Sequence, residues 1–308
     1  METAMQSLRL NIGDASEARV YYLPHYLAAR AGYFSREDIA VAFVESQTGG
    51  HTAMGGQIGP VVDGFADACV GGPMVTMKLL EDGVDGIVSF CGLVRANPWV
   101  VAAAAPVAGG FSGLAGKTVI DSGNVITATL CLREALRVAG LESAVAIEAG
   151  SGCLDDDIAR AEGDPSIVIH HSLHALGPDR AAGRLTIVDP MAKITPAVPW
   201  SAYIARSDRL AAEPDLFRRF RDGIAAALRD IATLPAERIA DLVGDDYPGY
   251  EIGALTDVID AYRSWGCFSP TPQIARADMI AFADIMQRAG WLGTKPSPDT
   301  LLAAEIAA

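Results

Sequence analysis

The chain has 308 residues, 50% of them hydrophobic, enough to bury a substantial core as one large domain or two lobes. Its 38 acidic residues against 24 basic ones give a formal net charge of -14. That balance opposes loose association with nucleic acid or an anionic membrane surface and favours a small-molecule partner. No stretch carries the ~18 uninterrupted apolar residues of a membrane span, so no membrane insertion is expected.

The elements alternate from the start. SLRLNIG (7–13) reads as an extended strand, and the helical pattern of residues 23–31 stops at Gly32. IAVAFVES (39–46) is β-branched and partly alternating, hence a strand, and the pair Gly49 and Gly50 turns the chain. DACVGG (67–72) is a short apolar strand ending in glycines, followed by the helix MVTMKLLED (74–82), which Gly83 ends. GIVSFCGLV and WVVAAAAP supply two more strands. From Leu114 the rhythm restarts: LAGKTVIDSG gives a turn and a strand, and Ser122 or Asn124 is placed to cap the helix TATLCLREALRVAG. AVAIEAGSG and SIVIHHS are further strands ending in polar or glycine residues. After Pro199 the character turns helical, with Leu216, Phe217, Phe220, Ile224, Leu228 and Ile231 at helical spacing, and Met279, Phe282 and Met286 likewise. An α/β chain with a helical C-terminal segment follows.

METAMQSLRLNIGD shows no basic segment leading into a long apolar run. The expectation is therefore cytoplasmic as written, or periplasmic if a signal peptide has been trimmed. Cys69, Cys91, Cys131, Cys153 and Cys267 are widely spaced with no CxxC pair, which suits reduced thiols and gives no metal site. HHSLH places His170 and His174 at a zinc-like spacing, but they follow a strand and have no HExxH or carboxylate partner, so hydrogen bonding is the better reading. Neither GxxxxGK[ST] nor GxGxxG occurs, and no cofactor is expected.

Three segments, LPHYLAARAGYFSREDIAVAFVESQTGG, FADACVGGPMVTMKLLEDG and LAGKTVI, resemble in order and separation the nitrate, sulfonate and taurine solute-binding proteins of ABC transporters and their relative, the thiamine-pyrimidine synthase. The resemblance implies a two-lobed type II periplasmic-binding-protein fold with an interlobe cleft. Its crossings fall near 95–98 and 197–200, so that 1–97 and 199–308 form one lobe and 98–198 the other. It also implies a small anionic, aromatic or heterocyclic ligand, and an ABC permease as partner if the chain is exported.

Ligands of such sheets sit beyond the carboxyl ends of the strands. The loops there carry His25, Gly50 and His51, then Gly72 and Pro73, then Ser122, Asn124 and Thr127, then His170 and His171. The glycine pairs let backbone amides approach an anion, or merely make tight turns. Tyr21, Tyr22, Trp99 and Trp200 are candidate aromatic platforms, of which Tyr21 and Trp200 enter the expected ligand set, or else core packing. The alternative is a cytoplasmic enzyme resembling the aromatic sulfinate desulfinases. In that reading His51 takes the family's histidine position, while Arg19 stands at the place of the nucleophilic cysteine and Cys69 at that of the arginine. Cys69 would attack, His51 move the proton and Arg19 hold the anion; otherwise Cys69 is a small buried strand residue.

Overall fold

The computed structural model describes residues 5–17, 19–46 and 57–303. In chain order the elements are β1 (Gln6–Gly13), α1 (Leu23–Arg30), α2 (Tyr33–Arg36), β2 (Ile39–Glu45), α3 (Gly59–Val62), β3 (Ala68–Gly71), α4 (Pro73–Glu81), β4 (Ile87–Val94) and β5 (Trp99–Ala103). They continue with β6 (Thr118–Asp121), α5 (Ile126–Val138), β7 (Ala146–Ala149), α6 (Leu154–Gly163), β8 (Ile167–Ser172), α7 (Leu173–Ala181) and β9 (Thr186–Pro190). The last are β10 (Ser201–Arg206), α8 (Ser207–Ala212), α9 (Pro214–Thr233), α10 (Ala236–Val243), α11 (Ile252–Ser264), α12 (Arg276–Arg288) and α13 (Pro298–Leu301).

The described chain divides into two compact units, one made of residues up to Arg95 together with those from Val198, the other of Ala96–Ala197. The first holds a sheet of order β2-β1-β3-β10-β4, the second a sheet of order β7-β6-β8-β5-β9. The two orders obey one plan. In each, the first three strands are parallel, and the antiparallel strand next to the edge is the one that enters directly after a crossing, β10 in one and β5 in the other. A strand arriving from outside the unit need not return over a helix to join in parallel, so its direction is free.

Local chemistry explains most boundaries. Leu8 and Leu10 of β1 are fully buried on one face while Arg9 between them is exposed, and from Asn11 on the strand is buried on both faces. β4 and β5 are buried along their whole lengths and read as continuous apolar runs. Gly32 at φ 71 and Gly83 at φ 87 follow α1 and α4 in the left-handed conformation that ends helices. Pro73 opens α4 and Pro214 opens α9, where a missing N–H costs no helix bond.

Three expectations need correction. Neither Ser122 nor Asn124 caps α5: its N-cap is Val125, with no side-chain cap bond, and Asn124 instead adopts φ 48. The stretch after Pro199 begins with a strand, β10, before it turns helical, and Thr186–Pro190 forms a further strand, β9, where the sequence predicts none. SAYIAR and TIVDP are too short for periodicity to separate strand from helix. No helix among the described residues is long and apolar enough to cross a membrane.

Candidate functional site

In the unit Ala96–Ala197, the ends of three neighbouring strands bring together the most distinctive polar group of the chain. Asp121 ends β6 and stands in parallel register opposite His170 of β8. Directly opposed residues share a sheet face, and His170 Nδ1 lies 2.9 Å from Asp121 Oδ1. Thr129, one turn into α5, donates its hydroxyl to the other carboxylate oxygen. His170 is 0% exposed and Asp121 3%. A neutral imidazole held this way donates through Nδ1 and keeps a lone pair on Nε2. That Nε2 is buried and finds no partner among the described residues, and neither does Ser122 Oγ on the adjoining loop.

Trp99 closes this group from β5. Its ring centroid is 4.9 Å from that of His170, and it stacks on His171 at 5.1 Å with 6° between the planes. Gly123 makes room for it: a Cβ at that position would fall 2.0 Å from the indole ring. Any side chain at 123 would push the ring away. His171 Nδ1 accepts from the Ser172 amide at 2.7 Å, so a neutral His171 carries its proton on Nε2. Ser172 Oγ reaches His174 Nε2 at 3.4 Å. His170 and His174 therefore have separate partners, and among the described residues no cluster of three or more His, Cys, Asp or Glu is placed to hold a metal. Thr127 sits half-buried in the first turn of α5, and Asn124 is exposed on the loop before it.

In the other unit the expected residues fare differently. His25, in the first turn of α1, is fully buried among Tyr22, Tyr26, Phe43 and Tyr203, with Nδ1 3.2 Å from Tyr203 Oη. Burial pulls its pKa down to about 3, which keeps the ring neutral. Contrary to the expectation of a ligand-facing histidine, it is a core residue on the buried side of α1. Tyr21 is 8% exposed and packs edge-on against Tyr22 and Tyr262. Gly72 is the N-cap of α4 and Pro73 its first residue, while Trp200 is buried with its carbonyl beside Gly72. Gly50 and His51 lie outside the described residues.

The nucleophile assignment is overturned. Cys69 is 0% exposed at the centre of the sheet, opposite Asn11 on β1 and Ile204 on β10. Burial pushes its thiol pKa well above the ordinary range, away from the thiolate that attacks. Arg19 is ion-paired with Glu17 and lies over the Tyr22 ring, 5.6 Å from its centroid, so its charge is already compensated. Of the five cysteines only Cys153 is exposed. Native protein treated with iodoacetamide is expected to take up one label per chain, at Cys153, and five in denaturant; a labelled native Cys69 would contradict the burial argument.

Sequence reasoning missed Asp121 and Thr129. The available signal was the polar residue closing the apolar strand TVID, at the end of the sheet where α/β proteins bind ligands.

Comparison with known proteins agrees with the topology. The aliphatic sulphonate binding protein SsuA from Escherichia coli is similar over 96% of this chain and 91% of its own, at TM-score 0.71 and 16% identity. The ligand binding component of an ABC-type import system from Staphylococcus aureus, solved with zinc bound, is similar over 98% of both chains at TM-score 0.74 and 10% identity. The desulfurization enzyme DSZB is similar over 98% of this chain and 97% of its own, at TM-score 0.63 and 13% identity. These likenesses establish a periplasmic-binding-protein fold. No curated protein matches the chain. A family model described as NMT1/THI5 like matches residues 19–238, a span that begins after β1 and takes in every later strand and the long helix α9, and the chain belongs to that family.

Proposed function

We propose that this protein binds a small anionic, aromatic or heterocyclic solute without changing its bonds, as the substrate-binding component of an ABC importer does. The carrying observation is the Asp121–His170 pair beside Trp99, at the strand ends where such sheets take ligands. Within it one imidazole nitrogen, His170 Nε2, is oriented by Asp121 and has no partner among the described residues, beside the Trp99 ring. That nitrogen is placed to hydrogen-bond a polar group of a ligand. SsuA, a sulphonate binder by name, supports the reading through its fold. If the chain is exported, its site of action is the periplasm and its partner an ABC permease. A desulfinase-like activity, suggested by the DSZB fold, would need a nucleophile other than the buried Cys69.

A thermal screen of sulfonates, aromatic carboxylates and pyrimidines tests this. A ligand at 100 times its dissociation constant adds about 2.7 kcal/mol to stability. Asp121→Asn, which keeps the shape but frees His170 to take either tautomer, is expected to weaken that ligand about tenfold, or ~1.4 kcal/mol. No shift with any of the three classes would defeat the reading. A shift that Asp121→Asn leaves untouched would move the binding site elsewhere.

A further inference from the structure

The Asp121–His170 pair depends on a third residue. The Asp121 backbone is fixed, since its carbonyl accepts from Asn124 N at 3.3 Å and from Gly150 N at 3.1 Å and its strand lies between β7 and β8. That leaves the carboxylate plane undetermined, because the last torsion of an aspartate is broad and roughly two-fold. One donor, His170 Nδ1 at 2.9 Å from Oδ1, lets the group rock about that contact. A second donor at the other oxygen sets the plane, and Thr129 supplies it from α5.

A threonine hydroxyl inside a helix has a competing acceptor, the carbonyl four residues back. Thr129 Oγ1 lies 3.2 Å from Val125 O, but that oxygen already accepts from Thr129 N at 3.0 Å. The hydroxyl has one proton to give, and a carboxylate oxygen is the stronger acceptor. Asp121 is 3% exposed, so little water competes for that proton. We infer that Thr129 is a positioning residue of the candidate site: by pinning the Asp121 carboxylate it keeps the proton of a neutral His170 on Nδ1 and the lone pair on Nε2. The ring of a free histidine prefers the reverse arrangement, so the bias comes from the hydrogen bond made at Nδ1. Thr129 acts through Asp121, and its purpose rests on the solute-binding reading, while the tautomer is a property of the chain without any ligand.

The test is the nitrogen NMR spectrum of the full chain in alkaline solution, in which a ring nitrogen that carries a proton is well separated from one that does not. His170→Gln assigns the signals. The native chain is expected to show Nδ1 protonated. Thr129→Val keeps the branched shape but removes the hydroxyl, and is expected to lower the ratio of the Nδ1–H to the Nε2–H form about tenfold. Thr129→Ser returns the hydroxyl and is expected to restore the native ratio. Leu132→Ala, which removes a fully buried side chain from the same helix, is expected to lower the melting temperature and leave the ratio unchanged. A native chain with Nε2 protonated overturns the proposal, as does a native ratio in Thr129→Val. So does a failure of Thr129→Ser to recover, or a change in Leu132→Ala as large as that in Thr129→Val. A thermal screen without a ligand would defeat the solute-binding reading and leave these outcomes as they are.

Discussion

Between pH 7.5 and 4.5 the native protein is expected to lose about 2.5 kcal/mol of stability that a His25→Asn variant does not lose. His25 is sealed in the core in the first turn of α1, and its pKa lies at about 3 because burial penalises the charged ring. In the unfolded chain the same ring takes a proton near its ordinary value of about 6.5. Between those two values the unfolded state binds one proton more than the folded state, so stability rises with pH in this window and falls as the solution is acidified. The contribution is complete above pH ~6.5 and drains by about 1.4 kcal/mol per unit below it. Carboxylates lose stability in acid as well, and they do so in both proteins, so the difference between the two curves isolates His25. Chemical denaturation at several pH values reads it directly. Parallel curves for the native chain and the variant would mean that the ring is protonated in the folded state, with water or an acceptor at Nε2.

Phe220→Ala is expected to be the most damaging single truncation in the first unit, at about 4 kcal/mol. The ring is fully buried on the inner face of α9. It stacks on Phe34 at 5.2 Å with 13° between the planes, meets Tyr203 edge-on at 4.9 Å and lies 5.9 Å from Phe90. Its removal takes out the piece that joins α2, α9, β4 and β10, and the rings around it cannot collapse inward without losing their own contacts. Gly223 belongs to the same arrangement, because a Cβ there would sit 2.7 Å from the Phe34 ring, which approaches the helix at that point. Urea unfolding should show a lower midpoint for Phe220→Ala. Arg218→Ala on the exposed face of α9, where the guanidinium pairs with Asp215, is expected to cost less than about 0.5 kcal/mol. Similar losses for the two would refute the packing account.

The candidate site illustrates how unevenly a chain announces its chemistry. His170 is legible in HHSLH through its spacing from His174 and its place at the polar end of a strand. Its partner Asp121 is not, because 49 residues separate the two and only the register of β6 on β8 makes them neighbours. Trp99 and Gly123 show the same limit: each is ordinary alone, and their dependence exists only where the indole lies over the glycine. His25 shows the converse. Its place in a loop near a strand end suited a ligand contact, and the packing of four aromatic rings around it made it core instead.

What the sequence by itself determined are the features with a local cause. Apolar periods of two and 3.6 mark β1, β2 and α9, prolines open helices and glycines end them, and an acidic composition without long apolar runs points away from membranes and nucleic acid. Whether a short apolar run such as SAYIAR becomes a strand, and in which direction it joins a sheet, depends on the hydrogen-bonding groups its neighbours leave open. The tertiary structure alone decided that β10 enters antiparallel between β3 and β4, and that Cys69 is sealed opposite Ile204. It also decided that Asp121 holds His170, because burial and cross-strand register join residues that the chain keeps far apart.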